Sequence, residues 1–170
     1  MTIYFFVILI ENNFINLYNQ NMITTILLAL VGTVMAAVLG TLWYSNATPM
    51  GKIHMRYLGF DKLTEEEKKK KMEEGKTQMF RMYVAQMTLS FLTSLFVVFV
   101  VTESVQNGVS VAMAIGFPVF SWLCFVVPTV GTGILWSNCD RSIAWKKFFS
   151  DIFSNLATIL LIALMTILFI

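Results

Sequence analysis

Residues 22–43 read MITTILLALVGTVMAAVLGTLW, a stretch with no charged side chain. A helix rises about 1.5 Å per residue, so this run reaches across the roughly 30 Å of a bilayer's hydrocarbon, which takes about 20 residues. On an insertion scale its Leu, Ile and Val side chains contribute about −3 to −6 kcal/mol, whereas one central charge costs only about 2.5–3.5 kcal/mol. The run is therefore read as a membrane-crossing helix, and three more apolar stretches repeat it at 82–102, 109–136 and 150–170. The third is long for its task, and Pro118 and Pro128 give it the means to bend, because each lacks an N–H and crowds the carbonyl four residues earlier.

Composition agrees: of 170 residues 57% are hydrophobic and 13% charged, against about 25% charged in an ordinary soluble domain. The expected fold is all-α, a polytopic membrane protein with a bundle of four transmembrane helices and a helical cytoplasmic loop at 44–78. Cys124 and Cys139 form no disulfide framework, and no spacing of His, Cys, Asp or Glu suggests a metal centre. Residues 1–21 are an N-terminal extension whose apolar part, Ile3 to Ile10, is too short to span and has no Lys or Arg before it, unlike a secretory signal. Two readings stay open for it: an interfacial segment, or a start codon assigned too early.

Charge gives the chain a direction. All 12 Lys and Arg lie in or beside the first connection (Lys52 to Arg81) and the third (Arg141, Lys146, Lys147), and none lies in the N-terminal segment or the turn from Glu103 to Gly108. Positive flanks are retained in the cytoplasm. Both termini are thus expected outside, with loops 44–78 and 137–149 cytoplasmic. Trp43, Tyr44, Trp136 and Trp145 stand where amphipathic rings anchor a helix at the interface. Within the first loop, Pro49 to Leu58 has the pattern of an interfacial amphipathic helix. Thr64 and Glu67 then form a capping box, followed by Glu65/Lys69, Glu66/Lys70 and Glu67/Lys71 at i,i+4 spacing.

Helices associate in lipid through small residues that allow close approach and through polar side chains that bond across. Gly32, Ala36 and Gly40 make such a packing ladder on the first span. Tyr83, Gln86, Ser90 and Ser94 line up on the second, and Asp151, Asn155 and Thr158 on the fourth. With Trp122, whose indole N–H needs a partner such as Ser90, Thr93 or Ser94, they are expected to form a polar interior. Asp151 after Ser150 has the pattern of an N-terminal cap for the last helix. His54 is the single histidine, with no second histidine or nearby acid to make a base or a ligand set. The runs Gly40-Thr41-Leu42-Trp43-Tyr44-Ser45-Asn46 and Gly133-Ile134-Leu135-Trp136-Ser137-Asn138 echo each other, as chance or as a parallel repeat.

Several of these residues carry a family resemblance. Trp43-Tyr44-Ser45, Gly51-Lys52, Met55-Arg56, Gly59, the Glu- and Lys-rich helix, Gly116 with Trp122, Phe125 and Pro128, and a last helix with a polar start resemble the small bacterial membrane proteins grouped as domain of unknown function 1761. The likeness covers about residues 22–170. The chain departs from the pattern at Asn46, where Pro is usual directly after Ser45, at Pro49, and at His54, where Trp is common. The resemblance implies a four-span bacterial membrane protein and carries no activity.

No nucleophile, base and electrophile come together in the sequence, so an enzyme is not expected, and neither is a cofactor. The expected role is a structural or interaction protein of a bacterial plasma (inner) membrane, with membrane lipids and further copies of itself as partners and no nucleic acid. The alternative is a small transporter or lipid-handling protein with a polar path between the second, third and fourth spans. Orientation is testable directly: a reporter active only in the cytoplasm, fused after Ile170, should stay silent, and full activity there would refute the assigned topology.

Overall fold

A computed structural model describes residues 2–170, and the side chains of residues 22–71 and 73–170. The described residues are helical throughout apart from short turns: α1 (Thr2–Trp43), α2 (Pro49–Tyr57), a 3-10 turn (Phe60–Lys62), α3 (Glu65–Glu74), α4 (Lys76–Gln106), α5 (Val111–Ser121), a π-helical turn (Trp122–Val126), α6 (Val127–Leu135) and α7 (Arg141–Phe169). Four of these stretches are long and apolar enough to cross a membrane, namely Met22–Trp43, Lys76–Gln106, Val111–Leu135 and Arg141–Phe169. The backbone of the N-terminal extension continues α1 from Thr2. Whether residues 1–21 suit an interface turns on side chains that lie outside the described residues.

The last helix begins at Arg141, ahead of the apolar run expected from Ser150, so the stretch between helices at that end is only 137–140. Asp140 is its cap, with Oδ1 accepting from the N–H groups of Ser142 at 2.9 Å and Ile143 at 3.3 Å. Asp151, expected in that role, lies well inside α7. The third span is not simply bent at its prolines. Pro118 is inside α5 and Pro128 in the first turn of α6, and between them Val127 N–H bonds back to Trp122 O, five residues away. Widening one turn in this way accommodates a proline that cannot donate.

Helix α7 is the axis of the molecule, packing against α1, α2, α4, α5, α6 and the π turn. Near the middle of the first span, a Cβ built on Gly32 would stand 3.1 Å from Ser94 Oγ and 3.3 Å from Ile162 Cγ1. Three helices therefore meet there with no room to spare, around a core of Leu28, Val97, Val98, Val101, Ile159 and Ile162. The ladder expected from Gly32, Ala36 and Gly40 closes only at its first step: Ala36 is half-buried, and a Cβ on Gly40 meets nothing within 4 Å. The close face of α1 runs instead through Ala29, Gly32 and Thr33.

A second core, of Ile134, Ala144, Phe148 and Ile152, lies toward the end rich in Lys and Arg and is made by α6 and α7. Trp122 at the π turn packs against both cores. Helix α4 takes no part in the second. Its buried residues run from Ser94 to Thr102, and from Lys76 to Leu89 every residue except Met79 is exposed.

Gly32 and Gly40 make a controlled pair. Gly32→Val must push Ser94 and Ile162 aside, a misfit that costs about 1–3 kcal/mol, so it should lower the thermal unfolding midpoint in detergent. Gly40→Val should leave it unchanged. Equal effects would show that the contact at Gly32 is not tight.

Candidate functional site

The chain's first turn outside the first span is built by a few local bonds. After α1 ends, Thr48 caps α2: its Oγ1 accepts from Gly51 N–H at 3.0 Å and donates to Trp43 O at 2.7 Å. Pro49, in the first turn of α2, has no N–H to leave unpaired. Helix α2 is thereby folded hard against the end of α1. At Gly51 a Cβ would collide with the Ser45 carbonyl oxygen and lie 2.7 Å from Tyr44 O, which only glycine avoids.

That fold-back lays His54 and Tyr57 beside α7, where Lys147, Ser150 and Asp151 point the other way to meet them. Trp43 Nε1 donates to Ser150 Oγ at 3.2 Å, and Tyr44 OH donates to Asp151 Oδ1 at 2.6 Å. Lys147 and Asp151, one helical turn apart, form an ion pair. Lys147 is only 8% exposed, and its Nζ lies 5.1 Å from the Tyr44 ring centroid and 5.8 Å from that of Tyr57. The ammonium is thus held by a carboxylate and two π faces. His54 lies against the Tyr44 ring with centroids 5.1 Å apart, and its Nδ1 is buried without a hydrogen-bond partner.

Two titratable groups of the cluster, Tyr44 and His54, are shifted by their surroundings. Burial, reinforced by the hydrogen bond to Asp151 and its charge, pushes the Tyr44 phenol above its ordinary range, so it stays a donor. Burial lowers His54, and Lys147 acts in the same direction while Asp151 opposes. The balance disfavours the imidazolium beside a cation already in the cluster. Each of Tyr44, Lys147 and Asp151 is engaged by another. Elsewhere among the described residues, no three His, Cys, Asp or Glu side chains gather as a metal site.

The expected polar interior is only partly assembled. Ser94 is fully buried, with an Oγ that has no hydrogen-bond partner, and Ser90 is half-buried. Tyr83 (69% exposed) and Gln86 face out of the bundle, because α4 has left it at that level. Asn155 is also exposed, its Nδ2 donating to Asp151 O at 2.8 Å, and half-buried Thr158 donates to Ser154 O at 2.9 Å. Trp122 Nε1 donates to Ile152 O at 3.1 Å rather than to a side chain of α4. Trp43 and Tyr44, expected as interface anchors, are half-buried and bond into α7, while Trp136 is 85% exposed and Trp145 is exposed and stacked edge-on against Phe148. The sequence does not mark Lys147, His54, Tyr57 and Ser150 as one site; the one signal for it is the i,i+4 spacing of Lys147 and Asp151, which counts only if α7 already runs through Lys147.

Removing one partner should expose the cost of the other. Asp151→Asn leaves an ammonium buried without its counter-charge and should destabilise the folded chain by about 3 kcal/mol, read as a lowered unfolding midpoint in nanodiscs. The double variant Lys147→Met/Asp151→Leu should recover most of that loss. If the single change proved neutral, the ion pair would carry no weight in holding α1, α2 and α7 together.

No curated protein and no solved structure matches the chain. One family profile does, described as Protein of unknown function (DUF1761), over residues 27–167. That span runs from the first membrane helix almost to the end of α7 and takes in the whole Trp43, Tyr44, Lys147, Asp151 cluster. The chain belongs to the DUF1761 family.

Proposed function

We propose that the protein is a non-catalytic interaction protein of a bacterial plasma membrane, and that it self-associates through the half of α4 its own bundle leaves uncovered. The observation that carries this reading is the exposure of α4 from Lys76 to Leu89, on every residue except Met79. That half is not merely apolar surface for lipid. Gln86 lies on it, bonded among the described residues only to its own helix, through Nε2 to Ser90 Oγ at 3.4 Å, which leaves carboxamide capacity unused. Glutamine side chains in membrane helices associate through such bonds.

The geometry favours a second copy as the partner. Copies inserted with the same orientation are related by an axis along the membrane normal, so equivalent residues lie at equal depth. Gln86 then meets Gln86, and a carboxamide, both donor and acceptor, is complementary to itself. Packing at Gly32 supports a closed bundle, and the outward placement of Tyr83, Gln86 and Asn155 removes three side chains that a polar path between α4, the third span and α7 would need. The mutual engagement of Tyr44, Lys147 and Asp151 supports a locking rather than a catalytic role for that cluster.

Disulfide trapping tests the reading in native membranes. In a chain with Cys124 and Cys139 replaced by Ala, Tyr83→Cys should form an oxidised dimer, Gln86→Leu should weaken it, and Leu168→Cys at the far end of α7 should not cross-link. A chain that is monomeric in bilayers by single-molecule photobleaching would rule the proposal out.

A further inference from the structure

Helix α2 turns one face to α7 and another away from it. On the outward face stand Lys52 and Arg56, one helical turn apart, both exposed. Neither makes an ion pair or a side-chain hydrogen bond among the described residues. Lys68 and Lys70 in the same loop are paired, Lys68 with Glu65 at 2.6 Å and Lys70 with Glu74 at 3.9 Å, whereas Lys62 and Lys69 are as free as Lys52 and Arg56 but do not line the groove beside α2. Gly59 makes the turn that follows α2 with a φ of 73°, a conformation suited to glycine. The chain then doubles back through Phe60 and Asp61 into α3. This groove, of about 460 Å³, opens between these elements, lined by Asn46, Lys52, Met55, Arg56, Phe60 and Asp61 and by Glu65 and Lys68, which are paired with each other.

Three features of this groove point to one class of ligand. Two free cations on adjacent turns form a fork for a phosphate ester. Asp61, also without an ion partner, faces the same space with the opposite charge. Met55 and Phe60 give it an apolar wall. Its depth matters as well: Asn46 lies just beyond Trp43, where the apolar run of α1 ends, and so falls in the headgroup layer. Its volume falls in the range of small-ligand sites, roughly 300–1,000 Å³, more than a lone phosphate fills.

We propose that this groove binds the headgroup of an amino-phospholipid, with the phosphate on Lys52 and Arg56 and the primary ammonium on Asp61. A basic patch that merely attracts negative charge would prefer phosphatidylglycerol, which offers Asp61 no positive group. Phosphatidylcholine has a cation but no N–H to donate to a carboxylate. The proposal uses a different surface from the self-association through α4 and does not depend on it.

Native mass spectrometry of the delipidated full chain, given equimolar phosphatidylethanolamine and phosphatidylglycerol, tests the assignment. Phosphatidylethanolamine adducts should exceed phosphatidylglycerol adducts by about fivefold, the scale of one exposed ion pair. Asp61→Asn should bring the two to parity, and Lys52→Ala/Arg56→Ala should lose both. All three residues are exposed, and an unchanged unfolding midpoint would confirm that the variants fold. Inorganic phosphate in millimolar excess should not displace the lipid. Preference for phosphatidylglycerol, full displacement by phosphate, or adducts indifferent to all three substitutions would overturn the proposal.

Discussion

An ammonium withdrawn from water at the edge of the hydrocarbon must be compensated on every side, and Lys147 sets that condition for its surroundings. Its carboxylate partner comes from its own helix, one turn on at Asp151. A single carboxylate is itself under-satisfied when buried, and the phenol of Tyr44 supplies the next bond. The faces of Tyr44 and Tyr57 then enclose the remaining sides of the charge. Meeting these demands requires the end of α1 and the whole of α2 to come to α7. The tight turn at Gly51 and the cap at Thr48 are the local means by which the chain complies.

With that end secured, the bundle divides into two unlike halves. Away from the basic end, α1, α4 and α7 touch at Gly32, Ser94 and Ile162 as closely as side chains permit. Toward it, α6 and α7 make the core with Tyr57 against it, and α4 diverges. Trp122 joins the halves, packed against both cores and bonded to the Ile152 carbonyl. Its position coincides with the π turn, where the widened helix reconciles Pro128 with continuity of the span. Both surfaces proposed for partners, the open face of α4 and the groove beside α2, belong to the less covered half.

The sequence made some of this legible and left the rest hidden for physical reasons. Span length and number follow from transfer energy alone, a property of each segment taken separately. The capping box at Thr64 and Glu67 is likewise local, and the structure contains it, with Glu67 turned back to accept from Thr64 N–H at 2.8 Å. This use of Glu67, together with the Glu65–Lys68 bridge at i,i+3, displaces the i,i+4 pairing expected with Lys69 and Lys71. Helical spacing does place Tyr83, Gln86, Ser90 and Ser94 on one face. It cannot say that a neighbour covers Ser94 and none covers Tyr83, because that depends on how helices diverge. Ser150-Asp151 before an apolar run has the pattern of a cap, while the actual cap, Asp140, precedes residues too polar to signal a span. The echo between the ends of the first and third spans has unlike sequels, a short separate helix packed on α7 in one case and the capped start of α7 itself in the other.

The bonds that lock the basic end join residues 107 positions apart in the chain. During synthesis, α1 and α2 emerge long before α7 exists, and segments fold as they appear. Until the last span is delivered, Tyr44 lacks its acceptor, α2 has no helix to dock on, and the face of α1 at Gly32 lacks Ile162. The packing of α1 on α4 at Gly32 and Ser94 needs no later segment, so what the arrival of α7 adds is closure of that contact from the third side at Ile162 and the lock at Tyr44.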